Sequence, residues 1–355
     1  MAATAGEIAA AAATNGAGTL RVGWVGGRPS WLALVDGTPE LDGARLVDGA
    51  GGANVLHVAG SELRRLRALR AAHPKTPIVL DLSGDGEVGL GRLDANRARL
   101  AQRVLVGSEA DLNDLRRRQP ALGARAEVLP QPIDLDAHVP LRRLHETRDA
   151  EVKRFRRLHR VAGALVLFGG PYTREGGFHL ALDAVYKLRE RMPELRVAAV
   201  PHGRIDPRYR DDCERRSLAL GHHGTVEWSP SPSDLPLWYG IATVVCTPAS
   251  GRVSPAPARL AAAAERPFVG SRVEGLADAV VDGETGFLVP PGDEDTLTAA
   301  LESLLADNDE ATRLGAAARR KAEEELSPAV AAARLCRIWR GAADGDGRAT
   351  TIGRH

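Results

Sequence analysis

The chain has 355 residues, 44% of them apolar and 26% charged, with 47 Lys and Arg against 46 Asp and Glu. That length exceeds one ordinary domain and predicts two, each burying its own core, while the balanced charge excludes a global field pointing to nucleic acid or a membrane. Cys213, Cys246 and Cys336 are too far apart in sequence for a CxxC metal site or a disulfide framework, which fits a reducing cytoplasm.

Residues 1–20 lack a basic n-region, and Glu7 interrupts their small apolar run, so a flexible tail is expected there rather than a signal peptide. No run approaches the roughly 20 apolar residues that span a bilayer. LRVGWVGG reads as a strand entering a turn at Gly26 and Gly27, glycines that would also let the backbone approach a ligand. ANVLHVAG, TPIVLDLSGD and AQRVLVGS read as further buried strands, separated by SELRRLRALRAAH and LDANRARLA at helical spacing. His57, inside the first of these, reads as a satisfied histidine at a strand end. Ser108 is placed to cap the helix EADLNDLRRRQ, and AEVLPQPID is a strand stopped by prolines. Strands alternating with helices predict a parallel sheet with crossover helices over residues 21–140.

The basic segment 141–160 is expected to link this domain to a second one at 161–325, followed by a crossover helix at 326–341 and a tail at 342–355. The pattern restarts with ALVLFGG as strand, FHLALDAVYKLRERM as helix, LRVAAVPHG as strand, YRDDCERRSLAL as helix and GTVEWSP as strand. SDLPLWYGIA, TVVCTPAS, PARLAAAAE and PFVGS continue the alternation, with Ser254 and Pro255 opening the third of these and Trp238 and Tyr239 filling core. AVVDGETGFLVPPGD is hairpin-like, and EDTLTAALESLLADN is a helix. Two doubly wound α/β halves facing across a cleft are expected, with ligands outside the carboxyl ends of the strands. One stretch stands out: no carboxylate occurs from Leu235 to Ala264, where Arg252 and Arg259 are the only charged groups.

AEVLPQPIDLDAHVP resembles the interdomain strand and loop of the retaining nucleotide-sugar glycosyltransferases of family 4, which have the GT-B fold. AVVDGETGFLVPPGDEDTLTAALESLLAD resembles the same family in its Asp282-Gly283 turn and in the strand that starts at Gly286, and LWYGIATVVCTPAS and RPFVGSRVEGLADAV fit the intervening pattern. The resemblance covers residues 100–340 well and 21–99 weakly. It implies transfer of a sugar from a nucleotide diphosphate sugar with retention, without a metal or other cofactor, to an acceptor that in related enzymes is often lipid-linked. It also exposes departures. Pro171 and Gly176 stand where the family holds the diphosphate with an Arg and a Lys, and Arg252 and Leu260 stand where two glutamates bind sugar and ribose. Glu274 and Gly275 replace a Gly-Gly pair, and Ser83 replaces a strand-end histidine.

The donor-binding candidates are therefore Arg174, Arg252, Glu274, Gly275, Leu276, Thr285 and Gly286. Those expected to face the cleft are Gly26, Gly27, Ser83, His202 and Arg204. Two functions stay open at this point. One is a rewired transferase in which Arg174 or Arg252, with amides near Gly275, stabilises the leaving phosphate. The other is a catalytically silent pseudo-glycosyltransferase kept as a binding or scaffold partner, for instance of an active paralogue. Arg64, Arg65, Arg67 and Arg70, with KRFRRLHR, read either as a peripheral contact with anionic membrane or as a solvated face. Nucleic acid is not expected, because no aromatic residue interleaves with these arginines.

Overall fold

The computed structural model describes residues 19–345 except 37, 42, 61–64, 84–98, 222–225 and 229–231. Most of both expected tails, Arg64 and most of the expected helix LDANRARLA lie outside the described residues. Two compact units result: residues up to Ile133 together with those from Glu324 onward, and Asp134–Glu323.

The first unit is built on six parallel strands in the order β2-β1-β3-β4-β5-β6. They are β1 (Leu20–Val25), β2 (Ala44–Asp48), β3 (Val55–Ala59), β4 (Ile78–Leu82), β5 (Arg103–Val106) and β6 (Ala126–Val128). Every residue of β4 and β5 is buried, as expected for parallel strands covered on both faces, which is why their sequences are continuous apolar runs. β2 escaped the sequence reading because it is an edge strand with no buried residue. Helix α1 (Leu66–Ala72) follows β3, and Arg70 on it clamps the carbonyl oxygens of Thr76 and Leu100 at 2.9 and 2.8 Å, a structural use of that guanidinium. Ser108 caps α2 (Glu109–Arg118) by accepting from Asp111 N at 3.1 Å.

The second unit has its own six parallel strands in the order β12-β11-β10-β7-β8-β9: β7 (Leu165–Tyr172), β8 (Arg196–Ile205), β9 (Val226–Trp228), β10 (Val244–Thr247), β11 (Phe268–Ser271) and β12 (Phe287–Val289). The segment expected as a linker is instead helix α3 (Leu141–Leu158), part of this unit through buried Leu144, Val152 and Phe155. Some of its charges pair along the helix, as in Arg148–Glu151 and Lys153–Asp149, and Arg142 pairs with Glu265. Helices α4 (Phe178–Arg189), α5 (Pro207–Ala219), α6 (Leu235–Ile241), α7 (Ala256–Ala263), the short α8 (Leu276–Ala279) and α9 (Glu294–Ala306) connect or cover the strands. The segment read as hairpin-like is not one: β12 runs parallel to β11, and the turn before it is closed by Gly283 N donating to Gly286 O and by Asp282 Oδ1 accepting from Leu288 N.

Helix α10 (Asn308–Leu326) leads to α11 (Pro328–Ala343), which belongs to the first unit. The apolar stripe of α11 buries Leu335, Cys336, Ile338 and Trp339 beside Val22, Val79 and Leu105. Arg337 and Arg103 converge on the two oxygens of buried Glu127 at 3.1 and 3.2 Å, so α11 is held by charge as well as by area. All three cysteines are buried and free. Among the described residues, no helix is long and apolar enough to cross a membrane.

Candidate functional site

In an open parallel sheet a ligand binds beyond the carboxyl ends, where the strand order reverses. In the second unit this switch lies between β7 and β10. The hydroxyl of Thr247 donates to the Gly169 carbonyl across it. Two loops interlock beyond these ends. Thr173 Oγ1 accepts from Gly176 N at 3.2 Å, and Ser250 N donates to the Glu175 carbonyl at 2.8 Å. Gly177, at φ +79°, lies so close to the Pro248 carbonyl that a Cβ there would sit 2.0 Å from its oxygen. Gly177 then opens α4 with no capping side chain and no carboxylate in the first turn. Of the first-turn amides, His179 N donates to the Tyr209 hydroxyl at 3.0 Å, and no first-turn carboxylate offsets the positive dipole end of α4.

This loop geometry bears on the two positions, Pro171 and Gly176, where the resemblance implied a diphosphate-binding Arg and Lys. A side chain at Gly176 would begin 2.0 Å from the Pro171 carbonyl oxygen, so the loop as folded has no room for a lysine there. Pro171 lacks an N–H, and the pairing of β7 with β8 is irregular between Gly170 and Tyr172. Arg174 lies exposed on the turn between them, and its charge reaches His179 in the first turn of α4. Burial first, and Arg174 next, hold the His179 imidazole below its usual pKa. Exposed Arg204 acts on Glu175, whose carboxyl is held low by its own backbone amide, by the Thr173 hydroxyl and by Arg204.

The rim between β10 and α7 packs on the loop after β11. Val253 N donates to the Glu274 carbonyl at 3.3 Å, and Gly275, at φ +94°, approaches so closely that a Cβ would meet Val253 O at 1.9 Å. That contact brings Arg252 and Glu274 together as an exposed ion pair at 3.6 Å. Leu260 packs against the apolar cluster that contains fully buried Leu276, so both side chains serve the core. Thr285 turns its hydroxyl inward, accepting from Val281 N at 2.8 Å, and Gly286 sits where a Cβ would be 2.5 Å from Phe268 O. Ser254 accepts from Ala256 N at 3.2 Å at the start of α7.

His202 lies half-buried near the end of β8. Its Nε2 is 2.9 Å from the hydroxyl of Tyr239, a wholly buried residue of α6. Burial lowers the His202 pKa to about 4, with His138 adding a smaller push in the same direction. The sequence reading had placed Tyr239 in the core without seeing that its hydroxyl would need this partner. A histidine followed by Gly203 at a strand end was the available signal.

In the first unit the strand order reverses between β1 and β3, and Gly26 and Gly27 sit at the end of β1. Gly26 has φ +114°, and open space surrounds the position of a Cβ on Gly27. Ser83, just past β4, is buried and used internally: its hydroxyl and its amide both donate to Asp81 Oδ1. Asp81 Oδ2 faces His57 Nε2 at 3.0 Å, and Trp339 Nε1 donates to His57 Nδ1 at 3.0 Å. Burial favours the neutral acid of Asp81, but the bonds from His57 and Ser83 outweigh it and hold the carboxyl below its usual range.

Residues 163–307 match the family model of glycosyl transferases group 1. The matched stretch lies within the second unit. The chain is 30% identical over 227 residues to a D-inositol 3-phosphate glycosyltransferase of Kribbella flavida, covering 61% of this chain and 51% of that protein. It is 30% identical over 242 residues to a phosphatidyl-myo-inositol mannosyltransferase of Mycobacterium tuberculosis, covering 66% and 59%. It thus spans little more than half the length of these curated relatives. In structure, the HepE protein of Anabaena in complex with UDP superposes with a TM-score of 0.71 at 15% identity, over 91% of this chain and all of that one. A glycosyltransferase of Rickettsia africae gives 0.73 at 12% identity, over 92% and 98%. The fold is the two-domain, Rossmann-like α/β architecture of GT-B glycosyltransferases, and the stretch that matches group 1 lies in its second half.

Proposed function

We propose that the second unit binds the diphosphate of a nucleotide sugar at the start of α4, and that the chain transfers the sugar with retention. The observation that carries this reading is the carboxylate-free N-terminal end of α4 at the switch point, where one first-turn amide, His179 N, meets a side chain, the Tyr209 hydroxyl. Gly177 contributes no capping side chain, the first turn holds no carboxylate, and Arg174 stands beside it. Backbone N–H groups and a helix dipole suit a diphosphate, and their pull grows as charge builds on the leaving phosphate. The relatives are named as transferases acting on inositol phosphate or phosphatidyl-inositol, so an inositol-type hydroxyl, free or lipid-linked, is the acceptor class to test first.

A second reading has its own observation. The Arg252–Glu274 pair occupies the rim, and a carboxylate there repels a diphosphate while spending the charge of Arg252. With Pro171, Gly176 and Leu260 at the remaining positions, the same fold would serve as a catalytically silent partner. Calorimetry of the purified protein with UDP, GDP, ADP and TDP and their sugars separates the two. Micromolar binding of one nucleotide, weakened by Arg174→Ala, together with release of that nucleotide from its sugar in the presence of inositol phosphate, supports the transferase. Binding without turnover supports the silent reading, and no binding at all removes the donor site.

A further inference from the structure

The end of β8 is bent out of its ladder. Gly170 pairs with Pro201 and Tyr172 with Ile205, so His202, Gly203 and Arg204 oppose the single residue Pro171. Pro171 offers no N–H to the ladder, and Gly203 supplies the turn at φ +92°. A bulge of this kind re-aims the side chains it carries. Here it carries His202 to the carboxyl end of the sheet, one strand from the switch point.

The proton on His202 is placed by its neighbour. Tyr239 is wholly buried, and burial raises its pKa, so the hydroxyl keeps its proton and must donate it. Its hydrogen-bond partner is His202 Nε2 at 2.9 Å. An imidazole that accepts at Nε2 and is uncharged carries its remaining proton on Nδ1. His138 packs edge-on against the same tyrosine ring, with centroids 6.5 Å apart, and its own Nδ1 is tied to the Asp134 carbonyl at 3.1 Å. Nδ1 of His202 has no partner among the described residues. Tyr239 is held in turn by its helix and by close packing on Gly169, where a Cβ would lie 3.0 Å from its hydroxyl. The donor is therefore fixed in place before any ligand arrives.

We propose that His202 is a specificity-determining contact of the second unit: an uncharged imidazole, oriented by Tyr239, whose Nδ1–H donates one hydrogen bond to an oxygen of a bound nucleoside diphosphate. The inference rests on the nucleotide-binding reading above and adds to it a residue that takes part by direction rather than by charge. It also gives Pro171 a positive role, since the residue that removes a cation from the end of β7 lies opposite the bulge that presents His202.

The experiment is calorimetric titration of the full chain with UDP, GDP, ADP and TDP at pH 7, using His202→Asn, His202→Gln, His202→Phe and Arg174→Ala. An asparagine amide nitrogen can occupy the place of Nδ1, whereas glutamine reaches the place of Nε2. His202→Asn is expected to bind within about threefold of the wild type, and His202→Gln and His202→Phe about tenfold more weakly, the size of one lost hydrogen bond. Because the contact is uncharged, His202→Phe should leave the salt dependence of binding unchanged, while Arg174→Ala should flatten it. Binding by His202→Phe equal to wild type, or a loss in His202→Asn as large as in His202→Phe with folding intact by circular dichroism, overturns the assignment while leaving the nucleotide site standing. Failure of the wild-type protein to bind any of the four nucleotides overturns both.

Discussion

The two sheets end in similar chains of buried polar groups, but one chain is closed and the other open. In the first unit Trp339 donates to His57, His57 meets Asp81, and Ser83 supplies two donors to the same carboxylate. Every described polar group in that series has a partner, and the series joins α11 to the middle of β3 and the end of β4. In the second unit the series runs from Tyr239 to His202 and stops at an imidazole nitrogen. A closed network in a low-dielectric interior specifies and stiffens a core, whereas an open one keeps a directed donor for something else. Fold alone does not separate these cases. The difference lies in which element covers the strand ends: a tryptophan from a distant helix in one unit, and a half-buried bulge in the other.

The largest test removes the closing group. Trp339→Ala deletes a fully buried indole and leaves His57 Nδ1 without its donor, which should cost about 3–5 kcal/mol. Hydrogen exchange followed by mass spectrometry should show faster exchange over β1, β3, β4 and α11 and little change in the second unit. Equal loss in both units would break the comparison. Next in size, Gly275→Ala places a methyl 1.9 Å from Val253 O at a φ of +94°, and about 1–3 kcal/mol should be lost from the second unit alone. A thermal melt with the same exchange readout checks it.

Acid sharpens the contrast further. His202 has a folded pKa of about 4, below its ordinary 6.5. The unfolded chain therefore binds up to one more proton than the native one between those values, and stability contributed by the neutral ring is lost as pH falls from 6.5 toward 4. His138 shifts in the same direction, burial being the main cause. Asp81 is depressed instead, so the contribution of its carboxylate should hold until pH falls below the ordinary value near 3.8. Urea unfolding at stepped pH should find the second unit weakening first, and His202→Asn should reduce its slope. The smallest effect is expected at the rim. Arg252→Ala breaks an exposed pair at 3.6 Å, and double-mutant cycles with Glu274→Ala should give about 0.2–1 kcal/mol, screened by salt. Its effect on nucleotide binding, rather than on stability, distinguishes the two functional readings.

What could be read in advance was what depends on neighbours in sequence. The apolar runs of β3, β4, β5, β7 and β10 announce strands buried on both faces, and Ser108 announces its helix, because capping needs only the next few residues. The Gly26 turn and the parallel alternation followed in the same way. β2 carried no such signal, since an edge strand with no buried residue has no apolar run to show. At the site, the sequence offered Pro171 and Gly176 where the resemblance implied cations. Whether Gly176 has room for a side chain was not legible there, because it depends on the Pro171 carbonyl folding back over it.

The sequence by itself determined two parallel α/β halves and the scarcity of carboxylate around the rim, because hydrophobic period and residue type are local properties. Only the tertiary structure decided that α3 belongs to the second unit, that α11 returns to close the first, that Arg252 meets Glu274, and that Tyr239 orients His202. Each of these joins residues that are far apart in the chain, and contact, burial and proton placement arise only once folding has brought such residues within a few ångströms of one another.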